Sequence, residues 1–165
     1  MWEKAKDFLK KAFTIIFVAA IVIWFFQSFD WSLNMVTDSG HSMLAGIGSI
    51  LAPLFAPIGF SDWRASTALI VGLTAKESVV STLSVLTGAT GNVALSGALH
   101  TIFPSALAGF SFLTFTILYM PCVAAFAATR RELGSLKGAL LTALYQTTVA
   151  YIVALLVFQI GHFII

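Results

Sequence analysis

The sequence predicts an all-α fold: a polytopic transmembrane helical bundle of about four full spans plus a Gly/Pro-broken or re-entrant segment. Three observations lead there. The 165 residues are 59% hydrophobic and only 10% charged, with a mean hydropathy of +0.96, whereas ordinary soluble domains are about a quarter charged. Too few polar side chains exist to cover the outside of a water-soluble domain. Long uncharged runs recur, each suited to a hydrocarbon core about 30 Å thick, and the densest Lys and Arg clusters lie at the N-terminus and around residues 130–137, as in cytoplasmic loops.

Residues 1–11 alternate Trp2, Phe8 and Leu9 with Glu3, Lys4, Lys6, Asp7, Lys10 and Lys11, an amphipathic cytoplasmic run-in to a membrane domain over 12–165. The first span covers about 12–29. It continues through Trp24, Phe25 and Phe26 instead of stopping at a small-residue cleavage site, so it reads as retained and not as a signal peptide. Trp24 and Trp31 bracket its far end, where aromatic rings favour the headgroup region, and Asp30, Asn34, Asp38 and His41 make a polar exterior loop. The run 43–60 is uncharged yet interrupted by Gly46, Gly48, Pro53, Pro57 and Gly59; it is a broken span or a re-entrant hairpin, because proline removes a donor that lipid cannot replace.

Ser61 or Asp62 is placed to cap a helix that starts near Arg64 and runs as a span over 64–86. Residues 87–92, with Gly88 and Gly91, read as a turn. His100 to Pro104 lies at an interface, and the next span covers 104–128. Arg130, Arg131, Glu132 and Lys137 surround Gly134 in a cytoplasmic turn, and the last span runs over 138–164, ending outside if five crossings start from inside. No internal repeat is present. Since many transporters are built from two related halves, a single unrepeated set has the form of one half.

A net charge of +2 from scattered Lys and Arg excludes nucleic acid as a partner. The lone Cys122 excludes an internal disulfide. There is no GxxxxGK[ST] phosphate loop, HExxH or Ser-His-Asp pattern, so nothing marks the chain as an enzyme.

Lys76 and Glu77 are the main anomaly, two ionisable groups inside an apolar run. Either at the bilayer centre costs roughly 2.5 kcal/mol or more, so such residues face a cavity or a partner. Helical neighbours point about 100° apart, so each needs a separate partner or an unwound backbone. Thr74, Ser78 and Ser81 add hydroxyls, and Gly72 permits close approach or a break. Glu77 suits a cation as oxygen ligand, with Lys76 its counter-charge or an anchor to another helix; the plainer alternative for both is an interhelical contact. The second anomaly is Tyr119-Met120-Pro121-Cys122, where proline frees a carbonyl beside a thiol. Soft sulfur with exposed carbonyls fits a transition metal such as ferrous iron, while packing beside Ala124, Ala125, Ala127 and Ala128 is the alternative. His41 with Met35 and Met43 is too loose for a metal site, His162 reads as an interface residue, and the Gly134/Gly138 spacing falls at a turn and not on a dimerisation face.

Four stretches together resemble the C-terminal membrane portion of the ferrous iron transport protein B (FeoB) family over nearly the whole chain. They are Phe8-Leu9-Lys10-Lys11-Ala12; Leu51-Ala52-Pro53-Leu54-Phe55-Ala56-Pro57-Ile58-Gly59-Phe60 with Trp63 and Arg64; Gly72-Leu73-Thr74-Ala75-Lys76-Glu77; and Tyr119-Met120-Pro121-Cys122, followed by Thr129-Arg130-Arg131-Glu132. The resemblance implies the second of two oppositely oriented membrane Gate modules, in a multi-pass protein that takes up Fe(2+) across the bacterial cytoplasmic (inner) membrane. It implies Cys122 and Glu77 on the metal path, supported by Lys76, Thr74, Ser78, Met120 and Pro121. It further implies no cofactor in this chain, Fe(2+) as cargo, and GTP with Mg(2+) confined to a GTP-binding domain outside it. The partners implied are the lipid bilayer, that domain and the first Gate module, with a homo-oligomer left open. Neither companion part lies within these residues, as expected of a fragment or a split-gene product. Two other readings stand beside this one: a Gate-type permease for a nucleoside or other small organic solute, using Tyr119, Tyr145 and Gln146, and a non-transporting membrane scaffold.

Overall fold

A computed structural model describes residues 2–36, 39–76, 78–88 and 92–164. It is an all-α membrane bundle. The described residues form α1 (Trp2–Ser28), α2 (Met43–Phe55), α3 (Trp63–Gly72), α4 (Ser78–Thr87), α5 (Asn92–Ile102), α6 (Ala106–Leu118), α7 (Val123–Leu133) and α8 (Leu136–Ile164), with short 3-10 turns at Ser39–His41 and Ala56–Ile58. Two helical stretches are long and apolar enough to cross a membrane, Ala106–Leu133 and Leu136–Phe163, and a third counts if the bent pair Met43–Ile58 and Trp63–Gly72 is taken as one span.

The frame is α6–α7 packed antiparallel against α8. Ser111 Oγ donates to the Ala154 carbonyl at 3.1 Å, and Leu107 covers Gly161, so the start of α6 lies beside the end of α8. The charged turn with Arg130, Arg131 and Lys137 is therefore at the opposite end. Ser105 caps α6 by accepting from Ala108 N–H at 3.1 Å. Helix α1 is continuous for 27 residues, about 40 Å at 1.5 Å per residue, so the run-in and the segment expected as the first span are one rod. It packs on α2 and α7.

The run 43–60 breaks as its prolines require. Ser42 caps α2 through Ala45 N–H at 3.2 Å, Pro53 sits inside it, and a 3-10 turn containing Pro57 follows. Asp62, one of the two anticipated caps, accepts from Arg64 N–H at 2.7 Å, and α3 leaves at 101° to α2. The two pack closely because Gly48 has no side chain: a Cβ there would strike the Thr67 hydroxyl and come within 2.9 Å of the Trp63 carbonyl.

The expected span over 64–86 is corrected by the structure, because the chain reverses between α3 and α4. Phe60, just before α3, stacks edge-on against Phe112 in the first half of α6 at 5.1 Å. Leu69, further along α3, meets Tyr119 just past the end of α6. Val80 and Leu83 of α4 then face a cavity shared with Phe103, Ala106, Phe112 and Leu113, back beside the first half of α6. A Cβ on Gly72 would lie 2.5 Å from Val79, whereas seven residues of unbroken helix rise about 10 Å. Helices α3 and α4 are thus the arms of a hairpin whose tip stops at the middle of α6–α7. The span expected over 104–128 is likewise interrupted, at residues 119–122, and resumes as α7 through Leu133. Helix α5 occupies residues for which no element was expected; its segment mixes Ser96, Gly97 and His100 with apolar residues and, at 11 residues, is too short for a span.

An aromatic cluster centres the core: Phe55 on Phe60 at 5.3 Å, Phe103 on Phe112 at 4.9 Å and Phe115 on Tyr119 at 5.5 Å, with Ala150 and Ala154 of α8 buried against it. Each such ring pair adds about 0.5–1.5 kcal/mol beyond area burial. Outward faces carry large apolar side chains, among them Phe17, Ile117 and Leu144, as a protein dissolved in hydrocarbon requires.

Candidate functional site

Four helix ends converge where the hairpin tip meets the break in α6–α7: the C-termini of α3 and α6 and the N-termini of α4 and α7. Helix ends leave carbonyls and N–H groups without partners, and lipid offers none. Each freed group here has a traceable origin. Pro121 has no N–H, so the Ile117 carbonyl four residues earlier loses its helical donor. Val123 N–H, which would serve the Tyr119 carbonyl in a continuous helix, instead crosses to the Leu73 carbonyl at 2.8 Å. Leu73 N–H tightens onto the Ile70 carbonyl at 3.1 Å and so releases the Leu69 carbonyl.

Two side chains take up these carbonyls. Lys76 Nζ donates to Ile117 O at 3.0 Å and to Tyr119 O at 3.2 Å, and lies 4.9 Å from the centre of the Tyr119 ring. The ammonium thus closes the negative end of α6, where a cation is favoured. Tyr119, 5% exposed, donates its hydroxyl to Leu69 O at 3.1 Å. A Cβ on Gly72 would sit 2.6 Å from that hydroxyl oxygen, so glycine is what lets the tyrosine reach.

Of the residues singled out from sequence, Lys76, Thr74, Ser78, Met120, Pro121 and Cys122 all lie at this joint. Glu77 lies outside the described residues. Cys122 is the N-cap residue of α7, half-buried, with its thiol making no capping bond. Met120 packs against the core cluster. The hydroxyls of Thr74 and Ser78 turn back to the Val71 and Ala75 carbonyls, each at 2.6 Å, so they hold the tip's own backbone. Tyr119, which the sequence reading placed in a proline motif and in the pocket of the permease alternative, takes part here as a tie between helices; the signal that pointed to the Lys76 contact was Pro121, which orphans a carbonyl four residues before it.

Among the described residues no three His, Cys, Asp or Glu side chains cluster as a metal site. The donors at the joint are the sulfur of Cys122 and backbone carbonyls, a soft ligand beside hard dipoles. Gln146 Oε1 is buried without a partner, Tyr145 points outward, and His162 stacks on Phe158 at 6.2 Å. Gly134 ends α7 in a left-handed turn with φ 60°.

The family model described as "Gate: Nucleoside recognition" matches residues 9–136. Over 98% of its length the chain is 39% identical to an Fe(2+) transporter FeoB of Methanocaldococcus jannaschii, covering 25% of that protein. It is 35% identical over 98% of its length to an Fe(2+) transporter FeoB of Staphylococcus aureus, covering 24%, and 36% identical over its whole length to one of Campylobacter jejuni, covering 28%. The chain therefore spans about a quarter of the length of the curated relatives it matches. No solved structure matches it.

Proposed function

The chain belongs to the Gate family as a FeoB-type Gate membrane portion, and on that premise we propose that it forms half of an Fe(2+) permeation pathway, with the ion passing the joint between the hairpin tip and the α6–α7 break. The observation that carries this reading is the convergence of two interrupted helices on one spot, with Lys76 closing the freed carbonyls and a free thiol on Cys122 beside them. Discontinuous helices meeting near mid-depth are how many transporters present backbone dipoles to an ion. Sulfur and carbonyl oxygen take over part of the hydration shell and hold it loosely enough for release.

The Arg130–Arg131–Lys137 turn is cytoplasmic in this reading, so the hairpin enters from the exterior side of a cytoplasmic membrane. The remaining three quarters of the transporter supplies the first Gate module and a GTP-binding domain; GTP and Mg(2+) act there and not on this segment. Glu77, which follows Lys76 in the sequence, is the second proposed ligand.

In the intact transporter, Cys122→Ser and Glu77→Gln each lower Fe(2+) uptake at least about tenfold, equivalent to losing roughly 1.4 kcal/mol at the barrier, while protein in the membrane stays at wild-type level. Unchanged uptake in both variants removes these residues from the mechanism. The family model's wording gives a nucleoside permease a specific claim. Against it, Tyr119 spends its hydroxyl on Leu69 and Tyr145 faces away from the core. Uptake of uridine in place of Fe(2+) by the same preparation decides for the permease, and uptake of neither decides for a scaffold.

A further inference from the structure

The Lys76 ammonium rests in a cage that any other cation would also favour. Ile117 O at 3.0 Å and Tyr119 O at 3.2 Å present the negative ends of two carbonyl dipoles, and the Tyr119 ring presents its electron-rich face at 4.9 Å. Neither carbonyl has a helical donor, one because of Pro121 and the other because Val123 N–H is given to Leu73. The cage is therefore a feature of the α6–α7 break itself, and Lys76 reaches it from a different element, the hairpin tip. A lysine whose task was only to fasten the tip would be served better by arginine, whose planar fork spans two oxygens; lysine offers a compact point charge on a flexible stem that leaves easily.

Resting on the reading of this joint as the iron path, we infer that Lys76 is a tethered stand-in for the cargo: its ammonium fills the carbonyl cage when the path is empty and must withdraw for Fe(2+) to pass Cys122. Two positive charges cannot both sit within contact distance of the same two carbonyls without strong mutual repulsion, so lysine and ion occupy the cage in turn. The gain is that the freed carbonyls, which lipid cannot serve, are never left bare between passages. The cage is also specified for positive charge before any ion arrives.

The test is equilibrium binding of Fe(2+), under anaerobic conditions, to the purified intact transporter with Lys76, Lys76→Met or Lys76→Arg. Removing the competing ammonium tightens Fe(2+) binding by about tenfold in Lys76→Met, since the competent state no longer has to be released first. Lys76→Arg binds Fe(2+) more weakly than wild type by a similar factor. The reverse order, with Met weaker than wild type and Arg equal to it, identifies Lys76 as an anchor and overturns the inference. A second measurement holds even if Lys76→Met fails to fold: labelling of Lys76 by an amine-reactive reagent in the wild-type protein, quantified by mass spectrometry. It rises several-fold on saturation with Fe(2+); labelling that stays flat while Fe(2+) demonstrably binds overturns the exchange and leaves the iron path standing. No Fe(2+) binding to wild type overturns both.

Discussion

Replacing Tyr119 by phenylalanine removes one oxygen from the joint and leaves the ring, its stacking on Phe115 and its face toward Lys76 in place. The lost bond is Tyr119 Oη to Leu69 O, 3.1 Å long and buried. A net hydrogen bond is worth about 0.5–1.5 kcal/mol, and a buried acceptor left without a donor costs about 1–3 kcal/mol. Polar contacts between membrane helices average only about 0.6 kcal/mol with a maximum near 1.7, because the unfolded reference state finds other partners. Leu69 O belongs at the upper end of that range. Its ordinary helical donor, Leu73 N–H, is turned to Ile70 O, and Tyr119 is 5% exposed, so water has little access. Tyr119→Phe is therefore expected to lower stability by about 1–2 kcal/mol, measured as reversible unfolding of the purified protein in mixed micelles. Gly72→Ala sharpens the test. Its methyl lies 2.6 Å from Tyr119 Oη and 2.5 Å from Val79 Cγ2, so deleting the hydroxyl relieves one of two clashes. The double variant is then less destabilised than the sum of the singles, with a coupling of about 1 kcal/mol. A Tyr119→Phe protein within about 0.3 kcal/mol of wild type, combined with additive behaviour in the cycle, refutes the assignment of Tyr119 as the tie between α3 and the break.

Pro121 lies in the break, two residues after the extended Tyr119; Pro121→Ala removes the bar to continuing α6 through it, with an N–H that then competes with Lys76 for Ile117 O, so the protein is expected to melt at a higher temperature while Fe(2+) uptake by the intact transporter falls. Retained uptake in a stabilised Pro121→Ala protein separates the break from transport. Asp62→Ala removes the cap on Arg64 N–H and is expected to cost about 1 kcal/mol in the same unfolding measurement, with Asp62→Asn close to wild type; equal loss in both variants shows that the carboxylate charge, and not the capping bond, was at work.

The places where the chain breaks were legible in the sequence, and the directions it takes after them were not. Pro57 and Pro121 fall where helices give way, by removing donors, which is a local property, while Pro53 is accommodated inside α2. Asp62 could be read as a cap because capping chemistry is equally local. Hydropathy, however, records how much apolar chain there is and not whether it passes through or turns back. The stretch 64–86 has the length of a span and folds as a hairpin. Its unwound tip around Lys76 is visible in the charged pair, but the reversal rests on Gly72 meeting Val79, a contact that no periodicity encodes. Lys76 was flagged by its cost in lipid, yet its partners are main-chain oxygens of another helix, and main chain is common to every residue. Only the proline rule pointed to Ile117. Helix α5 escaped because its 11 residues are too few for the span length that hydropathy reads. Glu77, the other half of the charged pair, lies outside the described residues, so its expected role stands on the sequence and the family alone.

A segment that dips in and backs out by the same door can be drawn back as a plug, whereas a rod threaded through the bilayer cannot shift without dragging polar ends across oil. Among the described residues, the hydrogen bonds that tie the tip to the α6–α7 break are few: Val123 to Leu73, Tyr119 to Leu69, and Lys76 to its two carbonyls. Withdrawing it therefore requires only a short stroke against a handful of latches.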